Sequence, residues 1–194
     1  MSRLVASGSQ TIGPFFHVGP GATDTLGTLA AAGVPGERIR LRVQVLDGDG
    51  AGVPDALIEI WQADSNGRYP RADWGQTGVR PGSDPCLTPF AGFGRLSTQD
   101  DGSCEFETIR PGRVAEQGQA QAAHINILVF ARGLTRHLYT RAYFAGDPAF
   151  AGDPVVGAIP ADRRETLLAR SMGDAAWELV VHLQGPRETA FFDL

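Results

Sequence analysis

From Arg38 to Asp47 apolar and polar side chains alternate. Ile39, Leu41, Val43 and Val45 fall on one side, and Arg38, Arg40, Arg42 and Gln44 on the other. A period of two predicts a strand with one face buried, and the arginine row reads most simply as its solvated face. His137 to Phe144 repeats the pattern, with His137, Tyr139, Arg141 and Tyr143 set against Leu138, Thr140, Ala142 and Phe144. Ala175 to Gln184 does so again, with Trp177, Leu179, Val181 and Leu183 as the inner row. The turn Asp47-Gly48-Asp49-Gly50 leads to a strand near Ala56 to Ala63, and Asp64-Ser65-Asn66-Gly67 then turns the chain again. Gly94 to Thr98 and Cys104 to Ile109 flank Asp100-Asp101-Gly102, which predicts a hairpin. Ala123 to Arg132 is short, apolar and β-branched, a strand buried on at least one face.

Between these strands the pattern is weaker. Thr25 to Ala32 predicts a short helix ending at Gly33, and Ala161 to Ala169 another, with Asp162 as a candidate cap and Glu165 three residues on. Trp74 to Phe93, Arg113 to Ala122 and Asp147 to Pro160 read as loops. The segment Ser9-Gln10-Thr11-Ile12-Gly13-Pro14-Phe15-Phe16-His17 is apolar, yet Gly13-Pro14 keeps it from being a regular strand or helix. It is an arm that needs a surface, either its own domain or a partner subunit. The ending Thr189-Ala190-Phe191-Phe192-Asp193-Leu194 is apolar and reads as pinned down. Seven or eight short strands between turns predict a mainly β chain, a single-domain antiparallel β-sandwich over residues 1–194. Long loops, one or two short helices and an N-terminal arm over residues 1–20 complete it.

Composition narrows the classes. The 194 residues are 42% hydrophobic, enough for one sizeable core. The 25 Gly and 13 Pro have no period, which fits many turns and excludes collagen. A net charge of −5 leaves no basic footprint for nucleic acid and little attraction to anionic membranes. No apolar run reaches transmembrane length, and Met1 to Ser7 shows no signal-peptide run, so a cytoplasmic location is the expectation. Cys86 and Cys104 are too few for a disulfide scaffold and are not spaced as a metal knuckle.

The chemistry concentrates on Ala123 to Arg132. Side chains alternate along a strand, so His124 and Asn126 point the same way, roughly 6.7 Å apart. A His-x-His pair in that position can close on one metal ion. Here the second position is an amide, a much poorer transition-metal ligand. The stretch reads either as a metal site lacking a ligand or as a strand with a buried core histidine.

The order of three pieces carries a resemblance: Glu59-Ile60-Trp61-Gln62-Ala63-Asp64 running into Asn66-Gly67-Arg68-Tyr69, then Thr108-Ile109-Arg110-Pro111-Gly112, then Ala123-His124-Ile125-Asn126. Together they resemble the intradiol ring-cleaving dioxygenases, whose ferric iron is held by two Tyr and two His. Tyr69 matches the first Tyr and His124 the first His. Val114 stands where the second Tyr belongs, two residues after Gly112, and Asn126 replaces the second His. The resemblance therefore implies no catalytic residue and no metal ligand set in this chain alone.

The Ser9 to Phe16 arm, Arg163-Arg164-Glu165-Thr166-Leu167-Leu168 and Phe191-Phe192-Asp193 narrow the match to α subunits of the two-chain, protocatechuate-cleaving members. That implies a Fe(3+) cofactor held by a partner β subunit, a small aromatic substrate with O2, and a large hetero-oligomer. It also implies substrate-binding positions at Thr11, Gly13, Pro14 and Arg132. By strand parity Arg132 shares the face of His124 and Asn126 if no bulge intervenes; it reads either as a substrate cation or as half of an internal ion pair. Two other functions stand beside this one: a binding or structural module of the same fold, and a self-sufficient catechol dioxygenase, against which Val114 and Asn126 speak.

Overall fold

A computed structural model describes residues 8–13, 24–70, 89–116 and 118–193. Among the described residues ten strands form: β1 (Arg38–Leu46), β2 (Leu57–Gln62), β3 (Phe93–Ser97), β4 (Ser103–Ile109), β5 (Val114–Glu116), β6 (Gln119–Gln121), β7 (His124–Phe130), β8 (Leu138–Phe144), β9 (Leu168–Gly173) and β10 (Ala176–His182). Eight of them join in the order β3-β2-β7-β8-β9-β10-β1-β4, while β5 and β6 pair apart as a small hairpin.

The eight-stranded sheet is folded over on itself. Its central core takes Leu41, Val43, Phe106 and Leu179 from one half and Ile58, Ile60, Ile125, Ile127 and Val129 from the other. The fold line is β9. It shares only Tyr143↔Leu168 and Phe144↔Ala169 with β8, and its register with β10 shifts between Ala176 and Trp177. The halves β3-β2-β7-β8 and β9-β10-β1-β4 thus face each other as a sandwich. Two pairings, β1 with β10 and β8 with β9, are parallel, a departure from the purely antiparallel expectation. In both cases the paired strands lie far apart in the chain, so no tight hairpin fixes their direction.

The strands with clear alternation form within a residue or two of their expected bounds. Elsewhere main-chain pairing wins over local signals. Thr25 to Ala32 is not a helix: one 3-10 turn spans Asp24–Gly27, and then the chain extends. Thr28 bridges Glu107 on β4, Ala30 bridges Phe90 just before β3, and Leu29 and Ala30 are buried. Arg113 to Ala122, expected as a loop, contains the β5–β6 hairpin. Ala161 to Ala169 yields a 3-10 turn at Arg164–Leu167 without a side-chain cap, so Asp162 does not serve as one, and the chain enters β9. The expected tail anchoring is present: Phe192 N–H donates to Tyr139 O at 2.8 Å. The Trp74 to Phe93 loop lies mostly outside the described residues. Cys104 is buried, and burial pushes its thiol up to about 12, leaving it unreactive. Among the described residues no helix is long and apolar enough to cross a membrane.

Two contacts bring the turns after β2 and β4 together. Gln62 is fully buried; its Nε2 donates to Ile109 O (2.8 Å) and its Oε1 accepts from Thr108 Oγ1 (2.9 Å), fastening the end of β2 to the end of β4. The turn after β2 then meets the turn after β4: Gly112 N–H donates to Asp64 O (2.8 Å). Gly67, at φ +76°, is needed there, since a Cβ would come within 1.8 Å of Arg113 O.

Asp147 to Pro160, expected as loop, contains a 3-10 turn at Phe150–Gly152 and one helical turn, α1 (Pro154–Gly157). Asp153 caps α1: its Oδ1 accepts from Val155 N (2.8 Å) and Val156 N (3.1 Å). Its Oδ2 accepts from Ala122 N (2.7 Å), just before β7, and the residue is 1% exposed. An Asp153→Ala chain loses a cap and strands buried donors, and its unfolding free energy should fall by at least about 2 kcal/mol. Urea unfolding at neutral pH measures this, and Asp153→Asn should lose less.

Candidate functional site

β7 is buried on both faces. Ile125, Ile127 and Val129 enter the sandwich core, so His124 and Asn126 point to the opposite face of their sheet. There the register sets Asn126 between Trp61 on β2 and Arg141 on β8, and His124 beside Tyr143. Tyr69, delivered by the turn after β2, closes over them.

Three residues singled out in the sequence meet here. The His124 Nδ1 lies 2.8 Å from Ala122 O, a pure acceptor, so this nitrogen carries the proton. Nε2 is left to accept from the Tyr69 hydroxyl at 3.3 Å. Asn126 Nδ2 donates to Tyr69 Oη (2.8 Å) and to Trp61 O (3.2 Å), while its Oδ1 accepts from the Tyr139 hydroxyl (2.5 Å). Val114 is nearly buried on β5, paired with Gln121, and offers no donor atom.

Sequence reasoning missed Arg141. Its guanidinium donates from Nε to Tyr139 Oη (3.2 Å) and from Nη1 to Gln121 Oε1 (2.8 Å) and Tyr143 Oη (3.3 Å). The alternation of β8 puts Tyr139, Arg141 and Tyr143 on one face, but only the β7–β8 register sets that face beside His124 and Asn126. Burial pulls the His124 ring down to about 4, the positive charge of Arg141 adds to this, and the Ala122 carbonyl and Asp153 oppose it. Burial likewise pushes the Tyr143 hydroxyl well above its ordinary range, with Arg141 opposing.

These residues do not fit ferric iron. The family's set needs two phenolates and two imidazoles; here one phenol, one imidazole, one amide and a methyl-bearing side chain stand at those positions. The remaining polar atoms are satisfied by one another. The corner is a hydrogen-bond network that holds one cation, Arg141, with the Asp153 carboxylate at its edge, joined through the Tyr143 hydroxyl.

The expected substrate-binding residues gather elsewhere. Thr11 Oγ1 accepts from Gly133 N (2.7 Å), so the arm lies against the loop that carries Arg132. Gly13 is exposed, with open space where a Cβ would point; Pro14 lies outside the described residues. β7 has no bulge but ends at Phe130, so Arg132 sits beyond the strand and the parity argument does not reach it. Its guanidinium pairs with Asp55 at 3.5 Å, both side chains more than half exposed. β7 carries the chain six steps from His124 to Phe130, on the order of 20 Å of strand, and Arg132 follows two residues later. The two groups mark opposite ends of β7.

The depressed His124 value has a consequence for acid stability. The unfolded ring takes a proton near 6.5, while the folded one resists until about 4. Between these values the unfolded chain binds more protons, so stability falls as pH drops from 6.5 toward 4. At pH 4 the loss from this residue should reach about 3 kcal/mol. Urea unfolding of the natural chain and a His124→Gln chain should show stability losses between pH 6.5 and pH 4 that differ by about this amount.

A family model described as dioxygenase matches residues 12–183. The protocatechuate 3,4-dioxygenase alpha chain of Burkholderia cepacia is 38% identical over 210 aligned positions, which cover 100% of both chains. The beta chain of the protocatechuate 3,4-dioxygenase of the same organism is 33% identical over 175 positions, 88% of this chain and 69% of that one. Among solved structures, the 3-chlorocatechol 1,2-dioxygenase of Rhodococcus opacus superposes with a TM-score of 0.62 at 22% identity, over 91% of this chain and 70% of that one. That last likeness concerns the fold alone. On the family match, the end-to-end similarity and the shared architecture, the chain belongs to the intradiol ring-cleaving dioxygenases.

Proposed function

We propose that this chain is the α, iron-free subunit of a protocatechuate 3,4-dioxygenase. In this reading it completes the substrate pocket of a β subunit whose ferric iron supports O2-dependent intradiol cleavage of protocatechuate to 3-carboxy-cis,cis-muconate. One observation carries the reading: the similarity to an alpha chain runs end to end, while the family's iron donors are broken at Val114 and Asn126. No step of the reaction is assigned to the Tyr69–His124 corner.

The part assigned to this chain lies at the other end of β7. Thr11 fastens the arm to the Arg132–Gly133 loop, so arm and guanidinium are presented together. The Arg132–Asp55 pair is exposed and contributes little to stability. Exchanging Asp55 for a substrate carboxylate therefore costs little, and the planar guanidinium suits a two-point grip on it. With Gly13 and Pro14 as the further substrate-binding positions of this reading, the chain would select a catecholic acid over a neutral catechol.

The first test is co-expression with the β-type chain from the same genome. The isolated chain should hold no stoichiometric iron and cleave no ring; the complex should contain iron and cleave protocatechuate. One tightly bound iron per isolated chain, with a tyrosinate charge-transfer colour, would falsify the reading. Failure of the two chains to associate would favour a binding or structural module of the same fold.

The second test addresses specificity. In the complex, Arg132→Ala should weaken protocatechuate binding by about 10- to 150-fold, the usual range for a lost contact to a carboxylate. The change should fall mainly on KM. Catechol, which lacks the carboxylate, should be affected far less; equal losses on both would mean that Arg132 is structural.

A further inference from the structure

Among the described residues, Arg141 is a half-buried cation that pairs with no carboxylate. The ion pairs there engage Arg40, Arg42, Arg95, Arg132, Arg136 and Arg163, and none engages Arg141. Its bonds run to uncharged oxygens of Tyr139, Gln121 and Tyr143. Burial works against the charge, but the two tyrosine hydroxyls more than offset it and hold the guanidinium above its ordinary value.

Its position is specific. Arg141 stands directly across from Asn126 in the β7–β8 register, and Tyr143 stands across from His124. Through the Tyr139 hydroxyl it orders Asn126 (3.2 Å, then 2.5 Å), and Asn126 in turn donates to Tyr69 (2.8 Å). Thus both surviving ligand-type residues belong to a network in which a positive group is already installed. A second cation among them would be repelled in a region that burial shields from water.

We propose that Arg141 has taken over the charge of the family's metal: its guanidinium is the cation around which this corner is ordered, and it excludes a metal ion even where the missing donors are put back. The loss of iron is then a replacement of one cation by another rather than decay of two ligands. This inference rests on the family assignment and on local geometry, not on the α-subunit reading.

The test restores the donors with Val114→Tyr and Asn126→His together, in chains that carry Arg141 or the substitutions Arg141→Lys, Arg141→Gln or Arg141→Met. Each chain is loaded with ferric citrate. Iron content and the visible tyrosinate-to-iron band are measured, with circular dichroism reporting folding. The Gln and Met chains should take up at least roughly tenfold more iron than the Arg and Lys chains. Equal iron in all four, whether loaded or empty, overturns the proposal. Should both neutral chains fail to fold while the Lys chain folds, the cation is shown to hold the corner together, as proposed. Failure of the Lys chain as well overturns it, since shape rather than charge would then be what the site requires.

Discussion

The corner where Tyr69, His124, Asn126 and Arg141 meet depends on one buried carboxylate. Asp153 takes the Ala122 N–H at 2.7 Å while capping α1, which fixes residue 122 immediately before β7. The carbonyl of the same residue accepts a hydrogen bond from His124 Nδ1–H, and so decides which imidazole nitrogen faces Tyr69. Asp153 also receives the Tyr143 hydroxyl at 3.4 Å, whose oxygen is shared with Arg141. A formal negative charge at one end and a positive one in the middle thus bracket a row of neutral groups. In a buried setting such a network is stable only when every member has a partner.

β7 divides the labour of the chain. At its start the side chains are buried and bonded to one another. At its end the chain leaves the sheet into an exposed loop, where Arg132 meets Asp55 and Thr11 holds Gly133. Rigid, satisfied groups suit a structural role, while exposed and weakly paired ones can exchange partners at small cost. That contrast separates the positions that match the family's metal ligands from the proposed substrate contact.

β1 and β10 were legible in sequence because one face of each is buried and the other is not, and β8 because its polar and aromatic row alternates with an apolar one, although both of its faces are largely buried. β5 and β6 were not, since three-residue polar strands leave no period to read. β9 escaped because most of its residues are exposed, with only Ala169 buried. Tyr69, His124 and Asn126 could be picked out by type and spacing. Arg141 sat in plain view on the polar row of β8, yet only pairing register gives it its neighbours, and register is a tertiary property. Asp153 was hidden in a Gly- and Pro-rich stretch where a carboxylate normally means a solvated turn.

The short extended run Thr28–Ala31 has a wider effect. Leu29 N–H donates to Glu107 O on β4, while Ala31 N–H donates to Pro89 O and Leu29 O accepts from Ala91 N, on the chain entering β3. β3 and β4 are the two outer strands of the folded sheet, so one segment stitches across the seam between them. Open edges of that kind are templates for stray strand addition and aggregation. At Glu107 and just ahead of β3 the chain's own backbone takes the place that such a strand would need.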